Sequence, residues 1–185
     1  MLAGTMKFCP DCGANVEFLT PAGDHLPRWV CTVCGHVHYE NPKLVVGCVP
    51  EWEGRILLCR RAIEPRHGFW TLPAGFMEKG ETLQEAAARE TREEAEAEVE
   101  IGSLLAIVHV LHVAQVHVMF RARLRAPRFG AGAESLETRL FDVADIPWPL
   151  LAFQSVRFSL QRYLEDRAAG REPLHFADLH RDAAR

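Results

Sequence analysis

Carboxylate side chains recur at helical spacing in segment 75–97 of the chain. Glu90, Glu93 and Glu94 stand at positions i, i+3 and i+4, so they share one face of a helix. Three carboxylates on a face that packs against the protein repel one another and lose hydration, which is costly unless cations bind there. Oxygen ligands of this kind suit Mg²⁺ or Mn²⁺. The spacing therefore predicts a divalent-metal site, with Glu90 and Glu94 as direct ligands and Glu93 as a ligand or a hydrogen-bonding partner.

The helix that must carry these acids is marked at its start. Thr82 and Glu85 form a T-x-x-E capping box directly after the breaker Gly80. Arg89 lies to one side of the acidic face, where its guanidinium can hold a carboxylate in the rotamer that binds metal. We expect Arg89 to orient the glutamates rather than to touch substrate, and Glu81 to support the metal ligands indirectly.

Six positions of this segment resemble the Nudix box, G-x5-E-x7-R-E-U-x-E-E-x-G-U with U apolar: Gly75, Glu81, Arg89, Glu90, Glu93 and Glu94. The resemblance implies a loop-helix-loop that binds divalent metals around a diphosphate, with the backbone carbonyl of Ala74 as a further ligand. Thr91 replaces an apolar residue of the pattern, and we expect it on the flank of the helix. Glu96 replaces the glycine at the helix exit, where we expect a positive φ and no contact with the metal.

Four of the six cysteines form two C-x2-C-G knuckles, in the order Cys9, Cys12, Cys31 and Cys34. This spacing is typical of a zinc ribbon, in which four thiolates hold a structural Zn²⁺. Two disulfides are the alternative, which a reducing compartment disfavours. We expect His25, His36 and His38 on the ribbon surface, because four thiolates already close the site. Cys48 and Cys59 lie in apolar runs and are expected to be buried.

The composition limits the class of protein. The chain has 185 residues and a formal net charge of −4, which suits one packed domain with a small appendage. The negative charge argues against sequence-independent nucleic-acid binding. No apolar run approaches about 18 residues, and the first residues lack the pattern of a secretory signal. We therefore expect a cytoplasmic protein without membrane contact, whose partner is a small nucleotide.

The chain is predicted to divide into a zinc ribbon at 1–40, a catalytic domain at 43–170 and a polar C-terminal tail at 171–185 that is loosely held. The order of elements in the catalytic domain is strand, helix, strands and helix, and the last helix ends near Gly170. This order is consistent with an α/β class protein, an α/β/α sandwich around a mixed sheet, which the Nudix resemblance also implies.

Apolar and alternating runs predict the strands of this sheet. Leu44–Val49 and Arg55–Arg60 flank a short connection and should form a hairpin. The runs 104–113 and 116–124 are predicted as two further strands, and a short strand is expected around 139–142.

The similarity extends further than the box, to segments that resemble the zinc-ribbon Nudix pyrophosphatases that hydrolyse ADP-ribose and FAD: FCPDCG, CTVCGHVHYENPK, VVGCVP, LLCRRAIEPRHGFWTLPAGFMEKGET, ESLETRLF and LAFQSV. The resemblance covers residues 8 to about 170. It implies metal-dependent hydrolysis of a diphosphate bond, giving AMP plus ribose 5-phosphate or FMN, in a homodimer. One alternative is an NADH or NAD-capped-RNA pyrophosphatase, whose S-Q-P-W-P-F-P-x-S motif is mostly missing from 146–151. Another is a non-catalytic ADP-ribose sensor, which the complete set of metal-binding acids opposes.

The resemblance also points to residues outside the box. In the ADP-ribose-cleaving relatives, a glutamate from a later loop acts as a base or completes the metal shell. Glu134 and Glu137 are the catalytic candidates here. Arg60, Arg61 and Arg66 lie just upstream of the box and are candidates for phosphate contacts.

Aromatic residues near the box are candidates for stacking on adenine. Phe69 and Phe76 are the candidates, while Trp70 is expected in the core. Arginines alternate along segment 121–128, and this pattern predicts a solvated face of an edge strand.

Overall fold

A computed structural model of the chain describes residues 6–180, which divide between Pro42 and Lys43 into two compact units. The first unit contains an antiparallel sheet of β1 (Val16–Leu19), β2 (Arg28–Cys31) and β3 (Val37–His38). Its apolar contacts are few: Phe18 packs on Trp29 with ring centroids 4.9 Å apart but stays half exposed. A sheet of this size buries too little apolar surface to be stable on that basis alone.

The second unit, within residues 43–180, is one mixed sheet with two α-helices. Its strands are β4 (Lys43–Trp52), β5 (Arg55–Arg61), β6 (Trp70–Thr71), β7 (Ala74–Phe76), β8 (Val99–Val110), β9 (Gln115–Leu124), β10 (Ser135–Phe141) and β11 (His175–Leu179). Its helices are α1 (Leu83–Ala95) and α2 (Gln154–Ala169). The strand order is β10-β5-β4-β9-β8-β11, with β6 paired to β5 and β7 to β4. The β4–β9 and β8–β11 pairs are parallel.

One helix covers each face of the sheet, and each face has its own core. Cys48 and Leu57 are buried with Ala87 of α1 on one face, and Leu58 is buried with Leu160 of α2 on the other. Alternate side chains of a strand point to opposite faces, so both sets of positions in the central strands are apolar. The predicted sandwich, the hairpin of β4 with β5 and the burial of Cys48 are confirmed.

Helix α1 starts and ends as its sequence predicts. Thr82 Oγ1 accepts a hydrogen bond from the Glu85 backbone at 3.2 Å, and Glu85 Oε2 accepts one from the Thr82 backbone at 2.7 Å. The helix ends at Glu96, which has φ 47° and ψ 32° in the left-handed region. Its N–H donates to Arg92 O at 3.0 Å. Glu96 therefore adopts a conformation that is usually occupied by glycine at this position.

Thr91 lies in the core, and its prediction on the helix flank is wrong. The residue is fully buried because it faces Cys48 of β4. Its hydroxyl donates to Ala87 O at 2.8 Å and lies 3.2 Å from Cys48 Sγ. A buried hydroxyl that finds a partner within its own helix costs little, which explains how a polar residue fits this apolar position.

One buried cluster corrects two predictions: that the arginines of segment 121–128 lie on a solvated edge strand, and that the tail at 171–185 is loosely held. Arg121 is 7% exposed, because β9 lies between β4 and β8 and is not an edge strand. Its guanidinium contacts Asp166 of α2 at 2.5 Å and Pro173 O at 3.0 Å, and Asp166 contacts His175 at 2.8 Å. These bonds hold the start of β11, so part of the predicted polar tail is a strand of the sheet.

We predict that Asp166→Ala destabilises the protein by about 3 kcal/mol, because it leaves the Arg121 guanidinium buried without its counter-charge. Urea unfolding monitored by circular dichroism measures the loss. Glu165→Ala is the matched control: its ion pair with Arg162 is exposed on the same helix, so the loss should stay below about 0.5 kcal/mol. Equal losses in the two variants would contradict a structural role for the buried pair.

Candidate active site

Two glycines allow β7 to pass close to its neighbours. A Cβ atom at Gly47 of β4 would lie 2.4 Å from Ala74 Cβ, and one at Gly75 would lie 2.3 Å from a Glu90 carboxylate oxygen. At Gly47 the close atoms include the backbone of the β7 region, so no other residue fits, whereas at Gly75 any side chain would have to displace the Glu90 carboxylate. The glycine that opens the box pattern therefore lets a carboxylate of α1 lie directly on the β7 backbone.

Arg89 is the centre of the hydrogen-bond network at this site. Its guanidinium bonds both Glu81 oxygens at 2.8 and 3.0 Å, Glu90 at 2.7 Å, Glu93 at 3.0 Å and Phe76 O at 3.1 Å. Hydrogen bonds from Arg89, with one from the backbone that follows β7, lower the pKa of Glu81 to about 2. The network ties the loop before α1 to the acidic side chains of the helix.

The three box glutamates differ in burial. Glu90 and Glu94 are 8% and 7% exposed, whereas the Glu93 side chain is 58% exposed and lies at the rim. Burial raises the pKa of Glu94 to about 8, the charge of Glu90 adds to the rise, and the Arg61 cation opposes it. Burial also raises the pKa of Glu90. Two buried carboxylates one turn apart form an oxygen donor set that fits a hard divalent cation.

These acids open onto a cleft of about 1220 Å³ in the second unit. The predicted residues that line it are Ala74, Phe76, Arg61, Arg66, Arg89, Glu90, Glu93, Glu94 and Glu134. The negative charge of Glu134 contributes to the raised pKa of both Glu90 and Glu94. The structure thus brings one acid of the later loop and two upstream arginines to the box.

Arg60 and Glu137 lie outside the cleft, contrary to their prediction as site residues. They are register partners on β5 and β10, with Arg60 Nη1 3.8 Å from a Glu137 carboxylate oxygen. Alternation along β5 turns Arg60 away from the face to which Arg61 points. Phe69 does not line the cleft, and Trp70 packs in the core against Phe141 with ring centroids 4.8 Å apart, as predicted.

The loop that carries Glu134 is fixed to the end of α1. Gly130 N–H donates to Ala95 O at 2.9 Å, and Gly132 N–H donates to Glu94 O at 3.1 Å. A Cβ atom at Gly132 would lie 1.7 Å from a backbone oxygen of α1, so only glycine fits. These bonds satisfy carbonyls that the helix end leaves free. The Gly-rich composition of the loop is the one feature of the sequence that points to this close contact.

Sequence reasoning missed the far part of the cleft. It is lined by Val110, Gln115, His117, Met119, Phe153, Val156 and Leu179. These residues come from four elements that are distant in the chain, β8, β9, α2 and β11, with Phe153 directly before α2. The alternation along β9 places Gln115, His117 and Met119 on one face, but nothing local indicates that this face meets a cleft.

The four knuckle cysteines converge in the first unit. Their Sγ atoms all lie within 4.8 Å of one another. Among residues 6–180, no other group of three or more His, Cys, Asp or Glu side chains brings its ligand atoms within this distance. The closest pairs, Cys12 with Cys31 at 3.4 Å and Cys9 with Cys34 at 3.8 Å, are too far apart for disulfides. Backbone N–H groups that follow Cys31 lower the pKa of its thiol to about 6. The donor set fits a tetrahedral zinc ion.

The ribbon histidines lie outside this cluster. His25 and His36 are exposed, as predicted, and His36 contacts Asp11 at 2.8 Å. His38, predicted on the surface, is buried at 9% exposure. The reason is its position on β3, where it pairs with Trp29.

A mixed sheet between two helices, with two buried acids at a large cleft and one of them, Glu90, bonded to Arg89, defines a metal-dependent hydrolase of the Nudix class. The family model of the NUDIX domain matches residues 41–161, and that of the Nudix N-terminal zinc ribbon matches residues 7–40. The chain belongs to the Nudix hydrolase family.

Individual relatives agree with this assignment. The crystal structure of a Nudix hydrolase from Nitrosomonas europaea is similar at a TM-score of 0.92 with 50% identity, covering 95% of this chain and 100% of that one. An ADP-ribose pyrophosphatase of Methanocaldococcus jannaschii is 30% identical over 59% of this chain and 67% of that protein. An NAD-capped RNA hydrolase of Vibrio vulnificus is 37% identical over 51% of this chain, which spans only 34% of that protein.

In the part of the chain that the structure describes, neither helix is long and apolar enough to cross a membrane.

We predict that Glu96→Gly stabilises the protein by about 0.5–1 kcal/mol, because glycine adopts the left-handed conformation without strain. The value of kcat should stay within about twofold, since the Glu96 side chain is exposed. Urea unfolding and steady-state kinetics measure the two effects. Glu100→Gly in β8, where φ is not positive, is the control and should destabilise by about 1 kcal/mol. A clear loss of stability or of activity in Glu96→Gly would refute this account of the helix exit.

Proposed function

We propose that the chain hydrolyses the diphosphate bond of nucleoside diphosphate derivatives, with ADP-ribose and FAD as the first candidate substrates. The observation that carries the proposal is the buried pair Glu90 and Glu94, which lines a cleft of about 1220 Å³ together with Arg89. The cleft is large enough for a substrate with a group on each side of the diphosphate. The similarity to an ADP-ribose pyrophosphatase supports the same class of substrate.

Glu90, Glu94 and the backbone carbonyl of Ala74 are the proposed ligands of Mg²⁺ or Mn²⁺, with Glu93 at the rim as a further ligand. A bound divalent ion neutralises phosphoryl oxygens and lowers the pKa of water. Arg89 fixes the rotamers of Glu90 and Glu93 through the bonds described above. The chain itself therefore orients two of these oxygen donors, Glu90 and Glu93, before substrate arrives.

Other residues of the cleft act on the substrate directly. Glu134 faces the buried acid pair, and we assign it the role of accepting a proton from the attacking water. Arg61 and Arg66 line the same cleft and are the proposed phosphate contacts. Phe76, half exposed beside the box loop, is proposed to pack against the substrate. Glu137 is not assigned a role, because it pairs with an arginine outside the cleft.

The alternative substrate class is NADH or NAD-capped RNA. The similarity to an NAD-capped RNA hydrolase favours it, whereas the loss of most of the S-Q-P-W-P-F-P-x-S motif opposes it. In this chain, the corresponding region contains a 3-10 helix at Trp148–Leu150 and leads into Phe153, which lines the cleft. A non-catalytic ADP-ribose sensor is opposed by the intact network of Arg89 with the box acids, which recognition of a ligand alone does not require.

Product analysis on a panel of diphosphates tests the proposal. We expect wild-type protein with Mg²⁺ or Mn²⁺ to cleave ADP-ribose to AMP and ribose 5-phosphate, and FAD to AMP and FMN, faster than NADH, NAD-capped RNA or dinucleoside polyphosphates. Glu94→Gln should lower kcat at least about a hundredfold without unfolding, because it removes a metal-binding charge but keeps the shape.

The matched control is Glu100→Gln, an exposed acid of β8 outside the cleft, which should leave kcat unchanged. Preferential cleavage of NAD-capped RNA would establish the alternative function. Near-wild-type turnover of Glu94→Gln at saturating metal would refute the assignment of the ligands.

For the first unit, we propose that Cys9, Cys12, Cys31 and Cys34 hold one structural Zn²⁺. A chelator should unfold segment 8–39 locally, because its sheet has too little core to persist alone, and should leave catalysis partly intact. Metal content and amide hydrogen exchange measure the effect. The double variant Cys9→Ser/Cys12→Ser should lose the zinc ion, while Cys48→Ala, a buried thiol outside the cluster, should retain one per chain. Retention of zinc at normal affinity in the double variant would overturn the four-thiolate site.

We further propose a ribbon domain at 1–40 and a catalytic domain that extends beyond residue 170 to include β11. The cytoplasmic location and the homodimer implied by the family resemblance remain predictions.

A further inference from the structure

The part of the cleft away from the box has a different chemistry from the metal-binding part. Apolar side chains from four elements form its walls: Val110 of β8, Met119 of β9, Val156 of α2 and Leu179 of β11. The family model ends at residue 161, so the wall from β11 lies beyond the region that it matches. Such a compartment suits a planar, weakly charged group rather than a phosphate.

Two polar side chains lie next to each other in this compartment. Gln115 and His117 both line the cleft from β9, and His117 Nε2 lies 3.0 Å from Gln115 Oε1. We assign the Nε2–H tautomer to His117, because the Gln115 amide oxygen accepts hydrogen bonds only, and in this tautomer Nδ1 is an acceptor. Burial lowers the pKa of His117 to about 4, which keeps the ring neutral at pH 7. The pair therefore offers an acceptor, His117 Nδ1, and a donor, the Gln115 amide nitrogen.

The strand register places this pair at a fixed distance from the box. Phe76 of β7, Val45 of β4 and His117 of β9 are register neighbours, and such neighbours point to the same face of a sheet. All three line the cleft. With about 4.8 Å between strands, His117 lies about 10 Å from Phe76 across the sheet. A nucleotide whose phosphate lies at the box can therefore extend its base toward β9.

We propose that Gln115 and His117 bind the edge of the substrate base, and that adenine is the base they select. Adenine presents an amino donor next to a ring-nitrogen acceptor, which complements the acceptor and donor of the pair. Apolar walls on both sides strengthen these hydrogen bonds by excluding water. The inference deepens the proposed function and rests on it, because it assumes that the diphosphate binds at the box.

Binding of AMP by isothermal calorimetry, with the zinc ion kept in place and no Mg²⁺ or Mn²⁺ added, tests the pair independently of hydrolysis. Wild-type protein should bind AMP at least tenfold more tightly than ribose 5-phosphate. It should bind AMP at least tenfold more tightly, too, than the monophosphate of purine riboside, whose base lacks the amino group of adenine. His117→Phe and Gln115→Met keep the size of each side chain and should each weaken AMP about tenfold or more, with ribose 5-phosphate unchanged. Gln161→Met, the same change on the exposed face of α2, should bind AMP as the wild type does.

In kinetics, the two cleft variants should raise KM for ADP-ribose about tenfold and leave kcat within about threefold. Equal affinity of wild-type protein for AMP and for the nucleotide without the amino group would overturn the proposal, and this comparison needs no variant. Wild-type affinity for AMP in folded His117→Phe and Gln115→Met would also overturn it. If the variants lose AMP but wild-type protein cleaves no diphosphate, the base site holds and the proposed function fails.

Discussion

The guanidinium of Arg89 joins the loop before α1 to the helix itself, because it bonds the Phe76 carbonyl on one side and the acids Glu81, Glu90 and Glu93 on the other. Without this cation, three carboxylates within one small volume repel each other and turn toward water. The geometry of the box thus depends on one residue that need not touch the substrate. The capping box fixes where α1 begins, and the close approach at Gly75 lets α1 lie near β7. Both contribute to the geometry of the box.

The sequence predicts this region well because its constraints are local. A helix start, an acidic face and two cysteine knuckles each depend on spacings of a few residues. The structure has them where the spacing places them, except that Glu93 is exposed while Glu90 and Glu94 are buried. The left-handed conformation at Glu96 belongs to the same class: the position in the box pattern predicts it even though the residue is not glycine. Chemistry and local geometry are here encoded in the same short segment.

The features that sequence reasoning missed depend on contacts between distant segments. Thr91 is buried because β4 lies against it, and Arg121 is buried because β9 lies inside the sheet. Both residues are polar, so their types alone indicate the surface. The strand β11 lies in a mostly polar C-terminal segment and pairs with β8, and the ion pair of Arg121 with Asp166 contacts Pro173 and His175 at its start. Neither partner identifies the other from the sequence.

The cleft has two anchors, which share no residue. Arg89 fixes the metal-binding side, while the ion pair of Arg121 with Asp166 fixes β11, which supplies Leu179 to the opposite wall. A substitution near one anchor need not disturb the other. During divergence, substitutions in β11 can therefore change which group on the diphosphate is accepted. The metal-binding side of the cleft can stay the same while this happens.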